Sequence, residues 1–145
     1  MNAPDKHISF SSLFELVERG GVEARKRLIE LSHLRPKIVL PYAKEVAALL
    51  DSTRAPVRNA SIEMLAAISK VSPATMAFLI PKLHALLSNK PQNTIANHAI
   101  EILHNYAKTS ERAARKVIPI LRTTIANLGP KSAAKVNQLL KELTK

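Results

Sequence analysis

The chain has 145 residues, of which 46% are hydrophobic and 23% are charged, a composition typical of a folded globular domain rather than a disordered chain. It contains no cysteine, which excludes disulfides, a thiolate nucleophile and zinc–sulfur sites within this chain. The formal charge of +11 favours acidic or polyanionic partners.

The first residues lack the basic start and the apolar run of a secretory signal, and no stretch approaches about 18 uninterrupted apolar residues. We therefore expect a soluble protein located in the cytoplasm, with no membrane partner. Residues 1–8 have the composition of a flexible tail, and residues 9–145 are expected to form a single domain.

Proline, glycine and capping residues divide the chain into eight predicted helices. Ser12, with Glu15 three residues later, has the pattern of a capping box and begins the first helix, which ends at the pair Gly20 and Gly21. Prolines suit the first turn of several later helices, and Ser110 is a predicted N-cap. The predicted helices cover about residues 12–19, 22–33, 36–50, 56–70, 73–87, 94–108, 111–127 and 131–143.

Hydrophobic residues recur at intervals of three and four, which is the spacing of a helix face. No comparable stretch alternates with a period of two, so the sequence predicts an all-α fold. The clearest examples are Val57, Ala60, Met64 and Ile68 in the fourth predicted helix, and Ile95, Ala99, Ile102 and Tyr106 in the sixth.

Two sequence markers recur along the chain at similar intervals, which indicates internal repeats. The even-numbered helices share a triplet of isoleucine, glutamate and an apolar residue, at positions 29–31, 62–64 and 100–102. The odd-numbered helices share an interior proline, and an interior proline bends a helix. These prolines are Pro41, Pro81 and Pro119, spaced by 40 and 38 residues. The predicted unit is a bent helix followed by a straight one.

A unit with proline in its first helix, aspartate in the turn and Val-Arg at the start of its second helix resembles the HEAT repeat. The best copy contains Pro41, Asp51, Val57 and Arg58. The resemblance covers about residues 35–145. The later units lack the aspartate and the Val-Arg pair, which leaves armadillo-like packing open.

The resemblance implies a right-handed α-solenoid of about four antiparallel helix pairs, whose second helices line the concave side. The pairs would cover about residues 10–34, 35–70, 71–108 and 109–145. Such proteins mostly bind other macromolecules, but a fold alone does not name the partner.

The repeated glutamate marks one face of the second helices, and residues three or four positions away share that face. One interpretation is a groove whose carboxylates recognise a basic or hydrogen-bonding peptide, with Asn59 and Asn97 holding backbone amides. The other is that these glutamates pair locally with basic residues and are solvated. The predicted partner-binding face comprises Lys26, Glu30, His33, Asn59, Glu63, Lys70, Asn97, Glu101, His104, Lys108, Gln138 and Lys141.

Positive charge concentrates in the last predicted pair, where residues 109–145 carry eight Lys or Arg and two Glu. This basic patch predicts an alternative function, the binding of a nucleic-acid phosphate backbone without reading its sequence. The same charge would also suit the polar cap of a terminal repeat. The patch comprises Arg112, Arg115, Lys116, Arg122, Lys131 and Lys135.

The sequence has no glycine-rich phosphate loop, GxSxG turn or HExxH motif, so we predict no enzymatic activity, cofactor or small-molecule substrate. His33 and His104 lie two repeats apart, and His98 is expected to point away from His104 on the same helix, so we predict no metal site. The predicted function is a non-catalytic scaffold or adaptor for a protein or peptide partner.

Overall fold

The computed structural model describes residues 10–145, so the predicted tail at residues 1–8 lies outside the described residues. Every secondary-structure element in the described part is helical, and the prediction of eight helices is confirmed there. The helices are α1 (Phe10–Glu18), α2 (Val22–Leu34), α3 (residues 36–51), α4 (Ala55–Val71), α5 (residues 73–88), α6 (Asn93–Ala107), α7 (Glu111–Thr124) and α8 (Pro130–Leu143). None of the described helices combines the length and apolar character that a membrane crossing requires.

Helices α3 and α5 change between α and 3-10 geometry, and two of the three interior prolines lie at these changes. In α3, the 3-10 segment Leu40–Tyr42 contains Pro41. In α5, the 3-10 segment Pro73–Leu79 precedes an α-helical segment whose second residue is Pro81. A proline lacks the N–H that the α-helical hydrogen bond needs, which explains the changes. Pro119 lies inside the uninterrupted α-helix α7, so no change of helix geometry accompanies this proline.

The predicted stop at the glycine pair is confirmed. Gly20 adopts a φ of 90°, in the left-handed region that favours glycine. The Gly21 N–H donates to the Leu16 carbonyl at 2.8 Å, and the Gly20 N–H donates to the Val17 carbonyl at 2.9 Å. These two bonds form a Schellman motif, which satisfies carbonyls at the end of α1.

We expect Gly20→Ala to lower the free energy of unfolding by about 1 kcal/mol, because an L side chain is strained at this φ. The new Cβ would also lie 3.0 Å from Nη1 of Arg54. Urea denaturation followed by circular dichroism measures the change. Gly129→Ala is the control: its new Cβ would lie 3.0 Å from Oδ1 of Asn93, but Gly129 has a φ of −69°, so it should cost less than Gly20→Ala. Equal losses in the two variants would contradict the left-handed conformation of Gly20.

Of the two predicted capping residues, Ser110 caps its helix and Ser12 does not. Ser110 is the N-cap of α7, and its hydroxyl oxygen accepts a hydrogen bond from the Ala113 N–H at 3.0 Å. The capping box at Ser12 is wrong, because α1 already includes Phe10 and Ser12 therefore lies inside the helix. The Glu15 carboxylate instead pairs with Arg19 at 2.6 Å.

The chain divides into two compact units, residues 1–68 and residues 69–145. The helix faces predicted from the apolar spacing are buried in both units. The fully buried side chains, less than 2% exposed, include Leu28, Leu49, Ile62, Met64, Leu65 and Ile68 in the first unit, and Met76, Leu79, Leu83, Leu87, Ile102 and Leu103 in the second. Each unit therefore has an aliphatic core of its own.

Candidate functional site

In the first unit, two predicted face residues meet between consecutive second helices. Nε2 of His33, on α2, donates to Oε2 of Glu63, on α4, at 2.7 Å. Lys26 and Glu30 instead line a hollow beside α1, and Asn59 is half-buried on α4. The structure therefore does not gather the predicted residues of this unit into one groove.

In the second unit, the carboxylates of Glu101, in the predicted face, and of Glu142 also have basic partners. Oε2 of Glu101 lies 3.5 Å from Nζ of Lys70, and its Oε1 lies 3.7 Å from Nδ1 of His98. Nε2 of His104 donates to Oε1 of Glu142 at 3.3 Å. Local pairing, the second interpretation of the glutamates, therefore describes Glu63 and Glu101.

An open cleft lies between α6 and α8, and we call it the α6–α8 cleft. Its volume is about 460 Å³. It brings together four residues of the predicted face, Asn97, Glu101, His104 and Gln138, and one of the predicted basic patch, Lys135. The remaining lining residues are His98, Ile100, Leu139 and Glu142. Helices α6 and α8 thus share a polar cavity.

Besides the contact of His104 with Glu142, a second hydrogen bond joins α6 to α8. The hydroxyl of Ser132, on α8, donates to Oδ1 of Asn97, on α6, at 2.9 Å. Ser132 is completely buried, so its hydroxyl depends on a protein acceptor. Asn97 therefore has a structural role, while its NH₂ group retains two further donor hydrogens.

Sequence reasoning missed His98 and Glu142, which line the cleft. His98 and His104, expected to point away from each other, both line it. Nδ1 of His98 is buried and makes no hydrogen bond, since Glu101 lies beyond hydrogen-bond distance. Both residues had a usable signal: His98 precedes Glu101 by three positions and Glu142 follows Gln138 by four, and such neighbours share a helix face.

Two predicted face residues of this unit lie outside the cleft. Lys108 and Lys141 are exposed and do not line the cleft. Within residues 10–145, no group of three His, Asp or Glu side chains is arranged to hold a metal ion.

The predicted basic patch divides between two helices. On α7, Arg112, Arg115, Lys116 and Arg122 are all exposed. At 100° per residue they fall within an arc of about 120°, opposite the buried side of the helix. On α8, Lys131 and Lys135 are exposed, and Lys135 lines the cleft. The four α7 cations therefore share the exposed side of that helix.

Comparison of the chain with protein-family models, curated proteins and solved structures gives no match.

Proposed function

We propose that this protein is a non-catalytic binding module of HEAT-like helical repeats, whose α6–α8 cleft binds an extended segment of a protein partner. The observation that carries the proposal is the convergence of Asn97, Glu101, His104 and Gln138 on one open cleft. The contact of His33 with Glu63 between α2 and α4 supports a repeat in which consecutive second helices are neighbours.

The cleft offers the hydrogen-bonding groups that an extended peptide needs. Gln138 is exposed, and its amide can both donate to and accept from a peptide backbone. The NH₂ group of Asn97 adds donors on the opposite wall. Ile100 and Leu139 are each only 4% exposed, so the walls offer little apolar area. Polar contacts therefore dominate, and we expect micromolar affinity rather than tighter binding.

The charges of the cleft indicate which side chain the peptide carries. The Glu142 side chain is 53% exposed where it pairs with His104, and an exposed pair of this kind contributes at most about 1 kcal/mol. A lysine or arginine of the peptide can replace His104 as the partner of Glu142 at little cost. We therefore propose a hydrogen-bonding peptide with a basic residue.

The test is selection from a phage-displayed peptide library on the immobilised protein, followed by calorimetric titration of the selected synthetic peptides. We expect micromolar binding that Gln138→Trp weakens at least tenfold, because the indole fills the cleft. Asn137→Trp is the matched control, since Asn137 is exposed on the same helix but does not line the cleft. Circular dichroism verifies that both variants are folded.

Two results would overturn the proposal. One is a selection that yields no peptide with measurable affinity for the wild-type protein. The other is equal affinity of the selected peptides for the wild-type protein and the Gln138→Trp variant, since this would place the binding site outside the α6–α8 cleft.

A further inference from the structure

The outer face of α7 carries positive charge that the carboxylates of residues 10–145 mostly leave unpaired. We call Arg112, Arg115, Lys116 and Arg122 the α7 basic face. Only Arg115 has a carboxylate within ion-pair distance in the described residues, that of Glu111 at 3.7 Å, and both side chains are at least 70% exposed. Exposed pairs of this kind contribute little, so the face remains positive and open to an anionic ligand.

The spacing of the α7 basic face suits a linear array of phosphates. Arg112 and Arg122 are ten residues apart, which is about 15 Å along a helix at 1.5 Å per residue. One strand of duplex DNA carries a phosphate about every 3.4 Å along the axis. A duplex lying against α7 would therefore bring several phosphates within reach of the four cations.

The composition of this surface argues against an interface with a folded protein, as distinct from the extended peptide proposed for the α6–α8 cleft. A protein interface usually has an apolar core. The exposed large hydrophobic residues of the described chain are Leu16, Val22, Leu34, Ile38, Val71 and Phe78. None of them lies on α7 or α8. A surface with charge but no apolar centre is typical of phosphate-backbone binding.

The same surface argues against binding of single strands by base stacking. Single-stranded nucleic acids are usually held by aromatic side chains that stack on the bases. Helix α7, with the sequence ERAARKVIPILRTT, contains no aromatic residue. Long cations without aromatic neighbours contact phosphates and do not read bases.

We propose that the α7 basic face binds the phosphate backbone of duplex nucleic acid without reading its sequence. Helix α7 contributes no lining residue to the α6–α8 cleft, so this surface is separate from the proposed peptide site. The protein would then bind nucleic acid and a protein partner through different helices of the same unit.

The test is fluorescence anisotropy of labelled DNA duplexes of two unrelated sequences, titrated with the full chain over about 50–300 mM salt. We expect similar affinities for the two sequences and a slope of log K against log salt of about −3.6, from four contacts at about −0.9 each. The triple variant Arg112→Glu, Arg115→Glu and Lys116→Glu is expected to lose affinity tenfold or more at the lowest salt.

The matched control is a second triple reversal, Arg35→Glu, Lys37→Glu and Lys44→Glu, at exposed residues of the first unit. It changes the net charge by the same amount but should retain most of the affinity. Equal losses in the two triples would overturn the proposal, because binding would then follow net charge alone. Absence of binding at about 50 mM salt would also overturn it.

Two further measurements separate this proposal from its competitors. In the first, polyglutamate competes with the duplexes at equal salt. If polyglutamate binds the α7 basic face more tightly, the ligand is an acidic protein rather than nucleic acid, and the proposal is overturned. The Gln138→Trp variant should bind duplex DNA as the wild type does. Loss of DNA binding in that variant would contradict the separation of the two sites.

Discussion

Replacing Leu103 with alanine is expected to lower the free energy of unfolding by about 2–5 kcal/mol. Leu103 is 0% exposed on α6, which packs against both α7 and α8. Truncation removes the transfer free energy of the lost methyl groups and leaves a cavity that the surrounding helices fill only partly. The total stability of a domain is about 5–15 kcal/mol, so this loss is a large fraction of it.

Guanidinium denaturation followed by circular dichroism measures this loss. Leu140→Ala is the matched control, since Leu140 is half-buried on α8 and should cost less than Leu103→Ala. A cost below about 1 kcal/mol for Leu103→Ala would contradict the packing of α6 between α7 and α8.

The helix ends were predictable wherever local chemistry determines them. Gly20 ends α1 because its left-handed conformation allows the N–H groups of Gly20 and Gly21 to donate to the last carbonyls of the helix. Ser110 begins α7 because its hydroxyl accepts a hydrogen bond from the Ala113 N–H. Ser12 was misjudged because the helix already includes the residues before it. The Phe10 ring stacks on Tyr42 at 4.3 Å, and the helix includes Phe10.

The site was predictable on α6 and only partly on α8, because one helix carries a marker and the other does not. Glu101 indicates the polar face of α6 and thereby identifies Asn97 and His104. Helix α8 has no such glutamate in its repeat position: Gln138 was identified, but Lys141, three residues later, was chosen instead of Glu142, four residues later. One residue is about 100° of rotation, which is enough to leave the cleft.

The sequence already places the basic patch on two predicted helices, but the direction in which each helix displays its cations depends on packing. Each helix directs its charges away from the apolar side that it buries, and the two helices bury different sides. Helix α7 buries Val117 and Leu121, whereas α8 buries Val136 and Leu139. The orientation of each buried side follows from tertiary packing, so the sequence predicts the excess charge but not the surface that displays it.

Replacing Asn97 with alanine is expected to cost about 1–3 kcal/mol of stability, because the buried Ser132 hydroxyl then loses its acceptor. The hydroxyl lies in a completely buried residue, where water cannot replace the amide oxygen. Ser132→Ala removes the donor and leaves the half-buried Asn97 amide nearer to solvent, so it should cost less. The double variant should be more stable than the sum of the two single losses implies, by about 1 kcal/mol.

Urea denaturation of the four proteins completes this double-mutant cycle, and Gln138→Ala is the control, with an expected change within about 0.5 kcal/mol. Strict additivity would show that the bond between Asn97 and Ser132 does not join α6 to α8. A positive coupling has a direct consequence for the peptide proposal. Asn97 variants would then weaken binding by loosening the walls of the cleft, whereas Gln138 variants report on contact with the peptide itself.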